Sequence, residues 1–481
     1  RIVGFYEVQG TGNETIYARL YSSARPCLIE NEDDLKLLRD KVNYGPEAWR
    51  NGHFKLGRMD GAEIAPVTLR LYGWQDGIGI SSSTGGTPFK GTFDGNKDAG
   101  CKIIFGTDNS SGSEKYSYRS LFDYVGTGGT VKNVNVEGNF YTVVSGFGGV
   151  VGKNEGAVDN CNFKGIIHSV WSESNTVGGI VGNNVGTVSD CTLGEGTIIN
   201  AVNPKGVSFV GGIAGKNSGT LAGGAAITGV TITGGDNTGG IVGENIGAVS
   251  GWTLIDSLII GHVSSINGGK IGGIAGAHNS KSITDCKLVD SSVMNKYDGN
   301  PGGIYIGGIA GSIGEFGRNS ATLSDCSVSG KRSDMDYTLS GGSRIGGIAG
   351  YISFDAAITG GEKNTVSDVS LHSTWAESYV GGVVGYMNTG TISEWTVKNT
   401  QIKGAQYLGG IAGSVTVNAN SNYGLAREIS NCNTESTVTI MVQAAYVNDA
   451  GTIIGNASSF SPSPGLGWIT NCTGNAVIET Y

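Results

Sequence analysis

The chain has 481 residues, of which 84 are glycine and only 8 are proline, and its formal net charge at pH 7 is −9. The glycines do not recur at every third position, which excludes collagen, and a hydrophobic share of 38 % is too high for a disordered linker. Charged residues make up only 15 %, without a basic run or basic-aromatic stripe, which argues against a nucleic-acid partner. No apolar stretch has the length of a transmembrane helix, so we expect no membrane insertion.

The N-terminal part of the chain precedes the repeats and contains one predicted helix. Residues 1–26 are predicted to be a lead segment or a strand of a cap, and residues 27–130 the cap with the first coils. Glu30 to Asn43 begins with acidic residues and predicts a short helix. The chain opens at Arg1 without a signal-peptide pattern, so we expect a mature form or an excised piece of a larger protein.

Residues 131–481 consist of about ten copies of one repeat. A pentapeptide Gly-Gly-[Ile/Val]-[Val/Ala]-Gly begins at nine positions: Gly148, Gly178, Gly211, Gly239, Gly272, Gly307, Gly346, Gly381 and Gly409. A degenerate tenth copy begins at Gly451, and successive copies begin 28 to 42 residues apart. No copy shows the 3.6-residue apolar period of a helix, which excludes leucine-rich, ankyrin and tetratricopeptide repeats.

Each copy has the features of one coil of a solenoid. Short β-prone segments alternate with Asn/Gly turns, so we predict an all-β, right-handed parallel β-helix with a small N-terminal cap that contains the helix. The fourth pentapeptide position is always Val or Ala, which indicates a crowded site. Alternation along the strand places Ile180 and Val181 on opposite sides, and either side of the glycine-rich sheet could face the core.

The pentapeptides, the Asn-x-Gly turn after several of them and the Cys that ends several units resemble the GLUG-motif repeats of bacterial surface proteins. The resemblance covers residues 131–481, and the segment from Thr87 to Asn96 resembles the lead-in to such repeats. The resemblance implies a β-solenoid fold. It also implies a secreted or cell-surface location in a bacterium, with adhesion as one of several functions that these repeats serve.

Six of the eight cysteines occupy one position of the repeat, as three pairs in neighbouring units: Cys161 with Cys191, Cys286 with Cys326, and Cys432 with Cys472. Other units have Trp252, Val369 and Trp395 there, so the position is predicted to face the core. Stacked coils place Cα atoms about 4.8 Å apart, within the range of about 4.4–6.8 Å that a disulfide allows. Free buried thiols are the favoured interpretation and inter-coil disulfides the alternative, and zinc spacing is absent.

The residue before this position is usually acidic or an asparagine. The column consists of Asn160, Asp190, Asp285, Asp325, Asp368, Glu394, Asn431 and Asn471. A carboxylate ladder for Ca²⁺ or for polysaccharide chemistry is one interpretation, and a series of corner turns is the other. The corner is favoured because asparagine replaces aspartate freely, which catalysis would not accept. The sequence therefore predicts no catalytic residue, no metal and no cofactor.

One motif suggests ligand binding. His168, Trp171 and Glu173 lie just before one pentapeptide, and His372, Trp375 and Glu377 repeat the same spacing before another. Two indoles could stack on sugar rings or on a partner protein, whereas a tryptophan packed over its own coil is the structural alternative. The longer insertions add further aromatic candidates, which are Tyr297, Tyr337 and Tyr351.

These observations favour a bacterial adhesion module that presents side loops to a host glycan or glycoprotein. A passive stalk, or a self-associating subunit of a surface fibre or array, is the alternative. A polysaccharide-degrading enzyme has only the analogy of fold in its favour.

Overall fold

The structure is a computed structural model that describes residues 26–81, 86–106, 118–170, 175–202, 208–263, 268–296, 303–314, 320–353, 356–361, 364–416, 427–458 and 469–481. It is built from short parallel strands stacked in register, and it is an all-β parallel solenoid. The predicted fold class is thus confirmed. Within the described residues, no helix is both long enough and apolar enough to cross a membrane.

A helix over Glu32–Tyr44 packs at the start of the solenoid, two residues inside the predicted beginning. The Asn31 side chain caps it by accepting a hydrogen bond of 3.1 Å from the Asp34 amide. Leu35, Leu38 and Val42 recur along one face and are fully buried. Shorter helical segments lie at Glu47–Arg50 and Lys97–Ala99 in the N-terminal part, and at Ala444–Asp449 near the C-terminal end.

Five parallel sheets, numbered 1 to 5 in the order in which a coil passes through them, form the walls of the solenoid. Sheet 1 has the strands Cys27–Ile29, His53–Leu56, Thr92–Asp94, Thr130–Lys132, Ala157–Asp159, Thr187–Ser189, Thr220–Ala222, Ala248–Ser250, Lys281–Thr284, Ala321–Ser324, Ala357–Thr359, Gly390–Ser393, Arg427–Ser430 and Ile469–Thr470. Sheet 2 has the strands Ile227–Thr228, Thr253–Ile255, Lys287–Val289, Ser327–Ser329, Thr365–Ser367, Thr396–Lys398, Asn433–Thr434 and Thr473–Gly474.

Sheet 3 follows sheet 2 along the coil. Its strands are Thr68–Leu71, Lys102–Phe105, Asn135–Thr142, Asn162–Ser169, Ile198–Ala201, Thr231–Gly234, Leu258–Gly261, Ser292–Asn295, Leu339–Ser340, Ser370–His372, Gln401–Gly404, Thr439–Val442 and Val477–Thr480, with Thr192–Leu193 paired beside Asn162–Ser169. A separate antiparallel hairpin joins Arg58–Asp60 to Glu63–Ala65.

Sheets 4 and 5 carry the pentapeptides. Sheet 4 has the strands Phe147–Gly148, Asn175–Gly178, Ser208–Gly211, Asn237–Gly239, Gly269–Gly272, Ile304–Gly307, Arg344–Gly346, Tyr379–Gly381, Leu408–Gly409 and Ala450–Gly451. Sheet 5 has the strands Phe122–Val125, Val151–Asn154, Val181–Asn184, Ala214–Asn217, Val242–Asn245, Ala275–His278, Ala310–Ile313, Ala349–Ile352, Val384–Met387, Ala412–Thr416 and Ile454–Ser458.

The pentapeptide makes the sharp bend between sheets 4 and 5. A Cβ on Gly308 would lie 2.2 Å from the Gly347 carbonyl oxygen of the next coil, and a Cβ on Gly311 would lie 2.4 Å from the Ile271 nitrogen of the preceding coil. Only glycine allows backbones to approach this closely. Ile180 and Val181 are both fully buried, as are all nine residues at the fourth position, so the pentapeptide is enclosed on both sides.

The cysteine column lies in the core, as the sequence predicts. Trp252 and Trp395 share the column, are fully buried, and each donates an indole hydrogen bond of 3.3 Å to a backbone carbonyl of the preceding coil. All eight cysteines are free. Neighbouring cysteines of the column are in contact: the Cys161 backbone amide donates a weak hydrogen bond to Cys191 Sγ at 3.4 Å. Burial raises the pKa of the Cys191 thiol well above its usual value. The favoured interpretation of free buried thiols therefore agrees with the structure.

The polar column before the cysteines forms a corner of the coil. All eight of its residues have φ between 49° and 62°, in the left-handed region. Asn and Asp tolerate this conformation better than most residues, which explains why they exchange freely here. At the first of these corners, Asn160 Nδ2 donates to Asn133 Oδ1 at 2.8 Å, so the side chains also join coil to coil. The column is a structural corner.

A buried asparagine ladder runs through sheet 5. Asn154, Asn184 and Asn217 each donate from Nδ2 to Oδ1 of the next asparagine at 2.7–2.8 Å, and the series reaches Asn245. Asn154 also accepts a hydrogen bond of 3.1 Å from the Gly156 amide, which makes the predicted turn. Each side chain therefore closes its own turn and joins its coil to the next one.

Candidate functional site

The two copies of the motif with His, Trp and Glu, which begin at His168 and His372, start in one column of sheet 3 but on different coils. His168 and His372 occupy the same register position, connected through Asn200, Thr233, Ile260, Met294 and Ser340. Six steps of about 4.8 Å place the two histidines about 29 Å apart along the rod. The two copies therefore do not form a single site.

The second copy borders a pocket with a volume of about 210 Å³. Its walls include His372 and Trp375 from one coil, and Gln443, Tyr446 and Tyr481 from the last described coils. Trp375 is partly buried and packs against the core, while the Tyr446 side chain is 37 % exposed. The pocket is smaller than the roughly 300–1,000 Å³ of sites for drug-sized ligands, which suits a ligand group of the size of one sugar ring.

Hydrogen bonds to neighbouring coils hold the Trp375 loop at both ends. Buried Ser373 donates to the Gly342 carbonyl at 2.7 Å, and its hydroxyl oxygen accepts a hydrogen bond of 3.3 Å from the Trp375 amide. On the other side, the Gln406 side chain donates to the Ala376 carbonyl at 2.9 Å. The backbone on both sides of Trp375 is thus held before any ligand arrives, which lowers the entropy lost on binding.

The opposite wall combines a short helical turn with Tyr481, which comes directly after the last described strand. The turn over Ala444–Asp449 begins with a hydrogen bond of 2.8 Å from the Tyr446 amide to the Gln443 carbonyl. Tyr481 donates its amide to the Val442 carbonyl at 3.1 Å, and Lys403 Nζ lies 4.8 Å from the centre of its ring. Two aromatic rings therefore face the pocket beside amide and hydroxyl groups that form hydrogen bonds.

His372 is a neutral polar group at the edge of this pocket near neutral pH. Burial lowers its pKa from the ordinary value, and the positive charge of Lys403 lowers it further. Its ring centre lies 4.2 Å from that of Tyr337, which is also partly buried. The sequence proposed both residues for binding, and the structure brings them together at one place.

The other predicted binding residues are separate from this pocket. His168 is exposed and stacks on Tyr141 at 5.6 Å, Glu377 is exposed, and Tyr351 stacks between Tyr305 and Tyr386 on another wall. Trp171, Glu173 and Tyr297 lie outside the described residues. The described part of the chain contains no group of three or more His, Cys, Asp or Glu side chains that could hold a metal ion.

Sequence reasoning missed Gln443, Tyr446 and Tyr481. None of them belongs to a repeated motif, and they lie 68 to 106 residues after Trp375 in the chain. An alignment of the coils by strand register would have found part of this wall. It pairs His372 with Lys403 and Lys403 with Met441, and Met441 lies two residues before Gln443.

Comparisons with protein-family models, with curated proteins and with solved structures find no match.

Proposed function

We propose that the chain is a bacterial cell-surface adhesion module that binds a host glycan, on a free oligosaccharide or a glycoprotein, through the Trp375 pocket. The observation that carries the proposal is the partly buried Trp375 side chain, on a loop held by hydrogen bonds, in a pocket that also offers tyrosine rings and polar groups. The GLUG-like repeats support the surface location, since the resemblance implies it.

The composition of the pocket suits a sugar. A pyranose ring has an apolar face that packs on an aromatic ring and hydroxyl groups at its edge that need hydrogen-bond partners. Trp375 and Tyr446 provide the aromatic surfaces, while Gln443 and neutral His372 provide donors and acceptors. Among the described residues that line the pocket, none is an aspartate or a glutamate.

A glycan array followed by calorimetry on the best ligand tests the proposal. We expect saturable binding to a narrow set of glycans. Trp375→Ala should weaken the affinity by about tenfold or more, because stacking on one aromatic ring contributes roughly 1–3 kcal/mol when the ring is buried by the ligand. Trp375→Phe should retain most of the affinity, since it keeps a ring at the same place.

Tyr446→Ala has a matched control in Tyr44→Ala, because Tyr44 is 74 % exposed on the cap helix and far along the chain from the pocket. The first variant should weaken binding and the second should leave it unchanged. Binding that survives Trp375→Ala would overturn the site. A folded protein that binds no glycan and no host matrix protein would favour the passive stalk or the self-associating subunit.

A further inference from the structure

A cluster of tyrosines surrounds one arginine on the outer side of sheets 4 and 5. We call it the tyrosine platform, and it consists of Tyr305, Tyr351, Tyr379, Tyr386 and Tyr407 with Arg344 among them. All six side chains are partly exposed. The platform does not share a residue with the Trp375 pocket.

The register of the coils builds the platform. Tyr305, Arg344 and Tyr379 are consecutive rungs of sheet 4, while Tyr351 and Tyr386 are consecutive rungs of sheet 5. The rings of Tyr305 and Tyr351 stack with centres 5.0 Å apart, and those of Tyr351 and Tyr386 stack at 5.9 Å. Stacked rungs repeat at about 4.8 Å, so the platform is a row of aromatic faces along the rod.

Arg344 is held in this row by three rings. Its Cζ atom lies 4.9 Å from the centre of Tyr305, 5.0 Å from that of Tyr386 and 5.5 Å from that of Tyr379. These contacts fix the plane of the guanidinium and restrict its rotamers. Among the described residues, the contacts that position this group are therefore aromatic.

The charge of Arg344 is unpaired within the described residues. Among the described residues, no Asp or Glu oxygen lies within 4.0 Å of the guanidinium nitrogens of Arg344. Its Nε atom is buried and has no hydrogen-bond partner among these residues. The guanidinium as a whole is partly exposed, so an anion can reach it, and an anion that binds here meets a positive charge that no carboxylate of the described residues neutralises.

We propose that the tyrosine platform is a second binding site, specific for a saccharide that carries a carboxylate, such as a uronic or sialic acid. The terminal guanidinium nitrogens of Arg344 bind the carboxylate in a two-point contact, and the neighbouring tyrosine rings pack on the sugar. The proposal extends the adhesion function but does not rest on the Trp375 pocket, since different residues carry it.

Matched pairs of sugars separate the carboxylate from the rest of the ligand. The probes are a hexamer of galacturonate and its full methyl ester, and sialyllactose with lactose as its neutral partner. We expect the wild-type chain to bind at least one acid form about tenfold more tightly than its neutral partner, because hydrogen bonds to a charged group are stronger than those between neutral groups. Binding of the acid should weaken as salt is raised.

Arg344→Gln should lower the affinity for the acid to that for the neutral partner. Arg344→Lys keeps the charge but loses the planar fork, so its affinity should lie between the two. The matched control is Arg332→Gln. It also removes one positive charge, but the Arg332 guanidinium is already paired with Asp334 at 2.7 Å. That variant should bind like the wild type. Near-ultraviolet circular dichroism confirms that each variant is folded.

The proposal is overturned if folded wild-type protein binds neither acid, if it binds acid and neutral forms equally, or if Arg344→Gln and Arg332→Gln behave alike. Failure here is distinguishable from failure of the proposed function. Trp375→Ala should leave the preference for the acid form intact, and Arg344→Gln should leave binding of the glycan of the Trp375 pocket intact.

Discussion

Asn245 Nδ2 lies 3.0 Å from His278 Nδ1, where the buried asparagine ladder ends in a fully buried histidine. Asn245 also accepts the hydrogen bond from Asn217, so its amide group is fixed with Nδ2 toward the imidazole. Nδ1 must then accept, and the proton is on Nε2, which donates to the Thr322 carbonyl at 3.1 Å. His278 is therefore built into the ladder as a neutral imidazole.

Acid should destabilise the protein through this histidine. Burial lowers the pKa of His278 to about 4, below the ordinary value of 6.5, so between these pH values the unfolded chain binds a proton that the folded chain does not. The stability that His278 contributes is present above pH 6.5 and is lost as the pH falls toward 4. From pH 7.5 to 4.5 we expect a loss of roughly 2–3 kcal/mol from this group, measured by urea unfolding.

His278→Asn is the matched variant, because asparagine continues the ladder and does not titrate. Asp123 acts in the opposite direction, since burial raises its pKa to about 6 and its folded form gains stability as the pH falls. The comparison of variant and wild type cancels that contribution. Equal losses of stability in acid for both proteins would contradict the assignment to His278.

Breaking the ladder at one rung should be costly. In Asn184→Ala, Asn217 Oδ1 loses the donor of its 2.8 Å bond, while Asn154 Nδ2 keeps its 3.1 Å bond to the Thr187 carbonyl. A buried group left without a partner costs about 1–3 kcal/mol, so we expect a clear drop in the free energy of unfolding. Asn183→Ala is the control, because Asn183 lies in the same strand but is partly exposed, and its effect should stay within about 0.5 kcal/mol.

Features within one repeat could be predicted from the sequence. The size limit at the fourth pentapeptide position predicted a crowded site, the exchange of Cys with Trp252 and Val369 predicted a core column, and the acidic start at Glu30 predicted the cap helix. Each of these features depends on local conformation or on burial, both of which a repeat shows directly. A corner at the aspartate and asparagine column was predicted for the same reason, but its left-handed backbone was not. The expectation that Ile180 and Val181 share one strand was wrong, because the bend after Asn175–Gly178 contains Ile180 and the next strand begins at Val181.

Contacts between coils could not be predicted without their register. The Asn-x-Gly pattern indicated a turn, but the bond from Asn154 to Asn184 joins residues 30 positions apart. Tyr351 was selected as a single aromatic residue, and its stack with Tyr305 became visible only when sheets 4 and 5 were aligned. Variable coil lengths of 28 to 42 residues hide such columns in the sequence.

A methyl group at the last pentapeptide glycine should disrupt the stack. In Gly311→Ala the new Cβ would lie 2.4 Å from a backbone nitrogen of the preceding coil, which cannot move without shifting that coil. We expect a loss of about 1–3 kcal/mol or more in thermal or urea unfolding. Gly361→Ala is the control, since its Cβ would have its nearest neighbour at 3.8 Å. Equal stability of the two variants would show that the bend is less crowded than its geometry indicates.

The buried thiols should not react in the native state. Burial raises the pKa of Cys27 and of Cys432 to about 12, so neither is a thiolate near neutral pH. Cys472 is the one partly exposed cysteine, and we expect a thiol reagent to label at most this residue before unfolding and all eight after it. Cys472→Ser should abolish the native reaction. Rapid labelling of the other seven would contradict the enclosed column.

Glycan binding at the Trp375 pocket should be independent of pH between about 7.5 and 8.5. The pKa of His372 lies below its ordinary value of 6.5, so the imidazole is almost entirely neutral in this range and its hydrogen bonding to a sugar does not change. Affinity should fall only in more acidic solution, where His372 takes up a proton beside Lys403. His372→Gln keeps a polar group without titration, and its affinity should remain flat below pH 6. A wild-type affinity that changes with a midpoint above 6.5, or a variant with the same acid profile as the wild type, would exclude His372 as the titrating group at this pocket.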